Sequence, residues 1–277
     1  MRTSRRKLEE IAWALGFHSV GLRLYRATKA RAISKRIQGL ERFFSSLLKE
    51  GDLVFDIGAN RGFYAEALES SGATVVAVEP NPDCVRHIQL ACHARRIEVI
   101  QAAVGRRSGL AQIRISDEHD SMSTLSPSWQ EAMLLHHENW SGYWNRSLTV
   151  PVLTVDDLRE RYGEPYYVKI DVEGSEEEVL AGLSAQPQVL SFEFNTGRKD
   201  AALACIDRPL FRNGCEFNFF WGDESDSPHF ELGQWQSAKQ LKELLYGMDA
   251  RERNGDIFAR RIGSGSGELR PLILASG

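Results

Sequence analysis

Residues 53–62 read Leu-Val-Phe-Asp-Ile-Gly-Ala-Asn-Arg-Gly, and residues 74–80 read Thr-Val-Val-Ala-Val-Glu-Pro. Each opens as a short apolar run of strand character. The first breaks at Gly58 into a tight turn, and the second ends in an acid. Glycines at 58 and 62 let a backbone turn sharply and approach a ligand closely. An acid about 20 residues further on, Glu79, is spaced to accept from both hydroxyls of a ribose. Asp56, Gly58, Ala59, Asn60, Gly62 and Phe63, with Glu79, Pro80 and Asn81, are therefore the candidate residues of a nucleoside site.

More candidate residues fall at the expected ends of strands: Ala102-Ala103 after 97–103, Asp171 and Glu173 after 166–170, and Glu193 and Asn195 after 188–194. In an open α/β sheet ligands bind beyond the carboxyl ends of the strands, so these groups are expected along one rim. The dinucleotide fingerprint needs a second glycine to make room for a pyrophosphate. Here Asn60 stands in that place, which disfavours a nicotinamide-dependent oxidoreductase. S-adenosylmethionine has no pyrophosphate, and its amino and carboxylate groups want polar neighbours. Asp56 is a candidate to accept from that ammonium, and the turn amides at a helix N-terminus suit the carboxylate. A methyltransferase is the leading reading.

Methyl transfer to a hydroxyl needs alignment and a base within reach. Asp171 is the first candidate, with Lys169 expected on the opposite side of its strand. A helix cap is the plain alternative for Asp171, and Glu173 fits that plain role better. Glu193 lies in a buried strand, where an unpaired charge is costly. It is either a substrate or metal contact or half of a structural ion pair. His119, His136 and His137 are further base candidates by pKa type. Ser123 and Thr124 are candidates to touch cofactor or acceptor, or simply to form a turn. No spacing signature supports a metal site, and none is expected.

The elements that must position these groups follow from pattern. Residues 4–49 read as helical, with no Asp or Glu between 11 and 40 and a basic face that includes Arg31, Lys35 and Arg36. That face is either solvated or a surface for an anionic acceptor, a partner or a headgroup. From Gly51 onwards short apolar strands alternate with helices at 62–70, 82–94, 155–161, 175–183 and about 199–212. This alternation predicts an α/β, doubly wound, mostly parallel sheet. Residues 109–116 alternate like an antiparallel edge strand. An aromatic and polar insert follows at about 117–147, a length that points to a substrate cover. Strands at 148–153 and 215–221, a helix around 238–245 and a last strand at 256–261, expected to pair with 215–221, complete the domain. Residues 1–50 form an N-terminal helical extension, 51–262 the main domain and 263–277 a flexible tail.

The chain has 277 residues and a net charge of −4, so there is no general case for nucleic-acid binding. No apolar run is long enough to span a bilayer, and the N-terminus lacks a cleavage pattern, so a cytoplasmic location is expected. Cys84, Cys92, Cys205 and Cys215 form no C-x-x-C pair and read as reduced thiols.

Several segments in this order carry a family likeness: 54–62, 76–80, 102–105, 123–125, 150–158, 169–174 and 191–194, with 255–260 as a closing strand. The chain resembles the FkbM family of S-adenosylmethionine-dependent methyltransferases over about residues 50–262. The resemblance implies a class I methyltransferase fold of seven strands with a reversed last strand. It implies O-methylation of a hydroxyl on a small metabolite, sugar or glycan. Methylation of nitrogen and a non-catalytic nucleoside-binding or partner-binding module remain as alternatives. The amphipathic N-terminal helices suit a homodimer.

Overall fold

The structure is a computed structural model and describes residues 34–92, 96–116, 126, 144–212, 214–222, 227–249 and 253–262. The readings that concern residues 4–33, most of the insert and the tail from 263 lie outside the described residues. So do Ser123, Thr124, His119, His136 and His137.

Among the described residues ten strands form two sheets. The larger has seven strands: β1 (Leu53–Ile57), β2 (Thr74–Val78), β3 (Ile97–Ile100), β7 (Tyr167–Ile170), β8 (Val189–Asn195), β9 (Cys215–Trp221) and β10 (Asn254–Arg261). Their order is β3-β2-β1-β7-β8-β10-β9. The first five in this order are mutually parallel. β10 runs antiparallel to both β8 and β9, so it inserts between them instead of adding outside 215–221. This is the seven-stranded sheet with a reversed last strand that the family resemblance implies.

The smaller sheet joins β4 (Ala103–Val104), β6 (Trp144–Leu153) and β5 (Gly109–Ser116) in the order β4-β6-β5. The antiparallel edge strand expected at 109–116 is β5, paired with β6. The single strand expected over 97–103 is instead two. The Ala102 amide turns back to the Ile100 carbonyl at 3.2 Å, and Ala103–Val104 leave to pair with β6.

Period-two alternation splits the large sheet into two buried faces. Phe55, Ile57, Val76, Val78, Val168 and Ile170 face one core; Val54, Val75, Ala77, Tyr167 and Phe258 face the other. Helix α1, residues 34–47, packs into the second face through Leu40, Phe43, Phe44 and Leu47. The end of the expected extension is therefore part of this domain's core. The Phe43 ring lies 5.1 Å from that of Phe220 and 5.6 Å from that of Phe258.

The remaining helices are α2 (Phe63–Ser70), α3 (Pro82–Ala91), α4 (Val155–Tyr162), α5 (Glu176–Ala181), α6 (Lys199–Ile206) and α7 (Ala238–Gly247). α3 starts at Pro82 behind Asn81, whose side chain accepts from the Asp83 amide at 3.0 Å. The expected helix at 199–212 stops at Ile206. Arg208 is held extended before Pro209, and a separate 3-10 turn, Pro209–Phe211, follows. Among the described residues no helix is long and apolar enough to cross a membrane.

Candidate active site

A cavity of about 460 Å³ opens at the carboxyl ends of the parallel strands. Its walls include Gly58, Ala59, Asn60 and Phe63 after β1, Glu79 and Pro80 after β2, and Ala102 and Ala103 beyond β3. Asp171 and Glu173 after β7, and Glu193 near the end of β8, complete the rim expected from the sequence. Asn195 is not on this wall. It caps the short turn Thr196–Arg198 by accepting from the Gly197 amide, and it donates to Asn254.

The two signature segments are joined directly. The Glu79 carboxylate accepts from the Asn60 amide at 2.9 Å and from the Asn81 amide at 2.8 Å. A carboxylate has about four acceptor sites, so two bonds hold it and others remain for a ligand. Burial pushes Glu79 up to about 7, against the lowering effect of those amides. Asn60 is in the left-handed region at φ 48°, which asparagine tolerates well. Its Oδ1 accepts from the Arg61 amide at 2.6 Å, folding the side chain onto its own turn.

Both glycines make the sharp turn read from the sequence, and the chain's own packing requires them; Gly58 also lines the cavity. Gly58 has φ +80°, and a Cβ there would lie 1.7 Å from the Asp171 carbonyl oxygen. The Asp171 amide donates to the Ile57 carbonyl, so the β1 turn and the end of β7 are pressed together. Gly62, also at φ +80°, ends the turn before α2, where a Cβ would meet Ile88. Gly62 and Asn81 shape the wall from behind and do not line it.

Asp56 is likewise behind the wall. It is fully buried, without a close hydrogen-bond partner for either oxygen. That placement does not fit direct acceptance from a ligand ammonium. Burial raises it to about 6, with Lys169 opposing and Asp171 adding to the rise.

Lys169 corrects a further expectation. Side chains two residues apart point to the same face of a strand, and Lys169 Nζ donates to Asp171 Oδ2 at 2.8 Å. Glu173 is not the cap of the following helix. It has φ 54° and lines the cavity, while Glu176 Oε1 accepts from the Val172 and Gly174 amides and holds the turn.

Oxygens of Asp171, Glu173 and Glu193 all lie within 4.8 Å of one another. Burial, and then repulsion from Asp171, Glu173, Glu176 and Asp256, raises Glu193 well above the usual carboxylate range. The charged groups acting on Glu193 are all acids, Asp171, Glu173, Glu176 and Asp256. Three carboxylates this close can share a cation, but a proton on Glu193 relieves the same repulsion. No metal is assigned to them.

The wall also holds residues the sequence reading did not select: Arg36 from α1, Tyr64 from α2, Val172, Ser175 and Asn254. Arg36 Nη2 donates to the Gly222 carbonyl at 3.3 Å. Only the packing of α1 brings that arginine to the rim. The basic 11–40 stretch is the one signal that pointed towards it.

Residues 56–240 match the methyltransferase FkbM domain. A hexuronic acid methyltransferase from Haloferax volcanii is 30% identical over 157 residues, which is 56% of this chain and 59% of that protein. The chain thus matches less than two thirds of that relative's length. Among solved structures, a TehB-like SAM-dependent methyltransferase from Corynebacterium glutamicum gives a TM-score of 0.41 at 13% identity, over 89% of this chain and 99% of that one. An rRNA methylase from Streptococcus thermophilus gives 0.41 at 12% identity, over 80% and 94%.

Proposed function

The chain belongs to the FkbM methyltransferase domain family, and from that premise we propose that it moves a methyl group from S-adenosylmethionine to an oxygen of a small metabolite, sugar or glycan. The observation that carries the reading is Glu79. It borders the cavity, two backbone amides hold it, and it retains acceptor capacity where a ribose would lie. The acid-rich wall of Asp171, Glu173 and Glu193 suits a cationic ligand better than a pyrophosphate. Bound S-adenosylmethionine supplies a methyl group on a positively charged sulfur.

The protein's part is positioning and proton handling. Sheet order sets an axis along the cavity, from Glu79 on β2, past the β1 turn, to Asp171 on β7 and Glu193 on β8. With the ribose at Glu79, the methyl group falls towards Asp171 and the acceptor towards Glu193, Asn254 and Arg36. Holding the acceptor in line is worth about 7–11 kcal/mol in favourable intramolecular cases. Asp171 is the candidate within this rim to take the hydroxyl proton, and Glu193 can do so only in its ionised form. The name of the Haloferax volcanii relative favours a sugar acceptor, and Arg36 at the acceptor end suits a carboxylate on it.

Isothermal titration with S-adenosylmethionine, S-adenosylhomocysteine and NAD tests the reading. Binding of the first two without NAD is expected. Binding of NAD alone would overturn it.

A further inference from the structure

Lys169 sits inside β7, every residue of which is buried. Its side chain is 2% exposed. An ammonium there is costly unless it is paired. Across the sheet its register partners are Asp56 on β1 and Ser191 on β8. Its Nζ donates to Asp171 Oδ2 at 2.8 Å and lies 4.2 Å from the centre of the Tyr64 ring. The Tyr64 hydroxyl reaches Asp256 Oδ2 at 3.4 Å. One ammonium is thus framed by an aromatic face, by Asp56 behind the wall and by Asp171 on it. Burial alone would lower the proton affinity of Lys169, but Asp171, Asp56 and Asp256 reverse this and raise it.

Asp171 is different in kind. It follows the last residue of its strand, and its side chain is 29% exposed. A short carboxylate in such a place has more than one accessible rotamer. The contact from Lys169 selects one of them and ties Oδ2 to the sheet. The close packing of Gly58 on the Asp171 carbonyl fixes the backbone below it. Side chain and main chain of Asp171 are therefore held by two separate devices.

We propose that Lys169 is a positioning residue: it holds the Asp171 carboxylate on the cavity wall, aimed at the cationic methionine end of the methyl donor, and acts through Asp171. This deepens the methyltransferase reading and rests on it. Lys169 contributes little to the adenosine end, which belongs to Glu79 and lies two strands away in the sheet, on β2.

The probes are S-adenosylmethionine and 5′-methylthioadenosine, which lacks the amino-acid end. Lys169→Met should weaken S-adenosylmethionine binding about tenfold or more and leave 5′-methylthioadenosine within twofold. Lys169→Arg, which keeps the charge, should recover most of the loss. Lys169→Met also leaves Asp56 buried without a cation, so the double variant Lys169→Met/Asp56→Asn serves if the single one does not fold. It should show the same split. Equal losses for both probes, or no loss in a folded variant, would overturn the proposal. A crystal structure of the ligand-free variant reads the orientation directly. Asp171 should turn away from its wild-type rotamer, and an unmoved carboxylate would also overturn the proposal. If the wild type binds neither probe, the methyltransferase reading fails, and the rotamer of Asp171 still decides the role of Lys169.

Discussion

Replacing Gly58 by alanine tests the claim that the packing of the β1 turn on Asp171 requires this glycine. The new Cβ would stand 1.7 Å from the Asp171 carbonyl oxygen and 2.7 Å from its carbonyl carbon. Both are backbone atoms, so no side-chain rotation relieves the overlap. The left-handed conformation costs a non-glycine residue about 1–3 kcal/mol. Overpacking adds about 1–3 kcal/mol. A loss of roughly 2–6 kcal/mol is therefore expected, or about 4–24 °C in melting temperature for a domain of this size. Gly62→Ala is the control. It shares φ +80°, but its Cβ would be 3.0 Å from Ile88 Cγ1, a side-chain atom that can give way. Its expected loss is about 1–3 kcal/mol, the conformational part alone. Urea melts of both variants, with donor titration on whatever remains folded, provide the measurement. If Gly58→Ala loses no more than Gly62→Ala, the packing of the β1 turn on Asp171 is not what the position requires.

Burial raises Glu79 to about 7 and Asp56 to about 6, so each binds its proton more tightly folded than unfolded. The unfolding free energy of the ligand-free protein should then fall as pH rises from about 4 to 7, by at most about 1.4 kcal/mol per pH unit per group. Glu79→Gln should flatten the upper part of that slope in urea melts at pH 5, 6 and 7.5; a rise with pH would contradict the assignment. Donor affinity should increase through pH 7 as Glu79 ionises, and Glu79→Gln should remove that dependence in calorimetric titrations. Phe43→Ala should cost about 3–5 kcal/mol, because its ring meets Phe44, Phe220, Phe230 and Phe258; near-wild-type stability would make α1 an appendage after all. Arg36→Ala should leave the donor dissociation constant unchanged and raise the KM for a uronic acid acceptor tenfold or more. Equal effects on a neutral sugar would remove Arg36 from acceptor selection.

Local pattern was enough for the frame of this protein. The runs at 53–57 and 74–78 are short, apolar and followed by a glycine turn and an acid. Such features depend on near neighbours, so strand ends and rim residues could be read off directly. Asn60, read as unsuited to a pyrophosphate, proved to hold a left-handed turn whose amide binds Glu79. The helix expected over 199–212 stops at Ile206, short of Pro209, which is itself a local signal for a break. Other features lie beyond any local pattern. The role of Gly58 depends on a carbonyl more than a hundred residues away in sequence, and the contact is made only when β1 and β7 meet. The partnership of Lys169 with Asp171 was available from the two-residue period of a strand, but its meaning needed Asp56 and Tyr64 behind it. Arg36 is one cation among several on a basic helix, and only the burial of Leu40, Phe43 and Phe44 turns that helix so that it reaches the cavity. Short local runs specify the strands and the rim residues at their ends. The tertiary structure alone decided which charges meet, because burial and long-range pairing assign each charged group its partner.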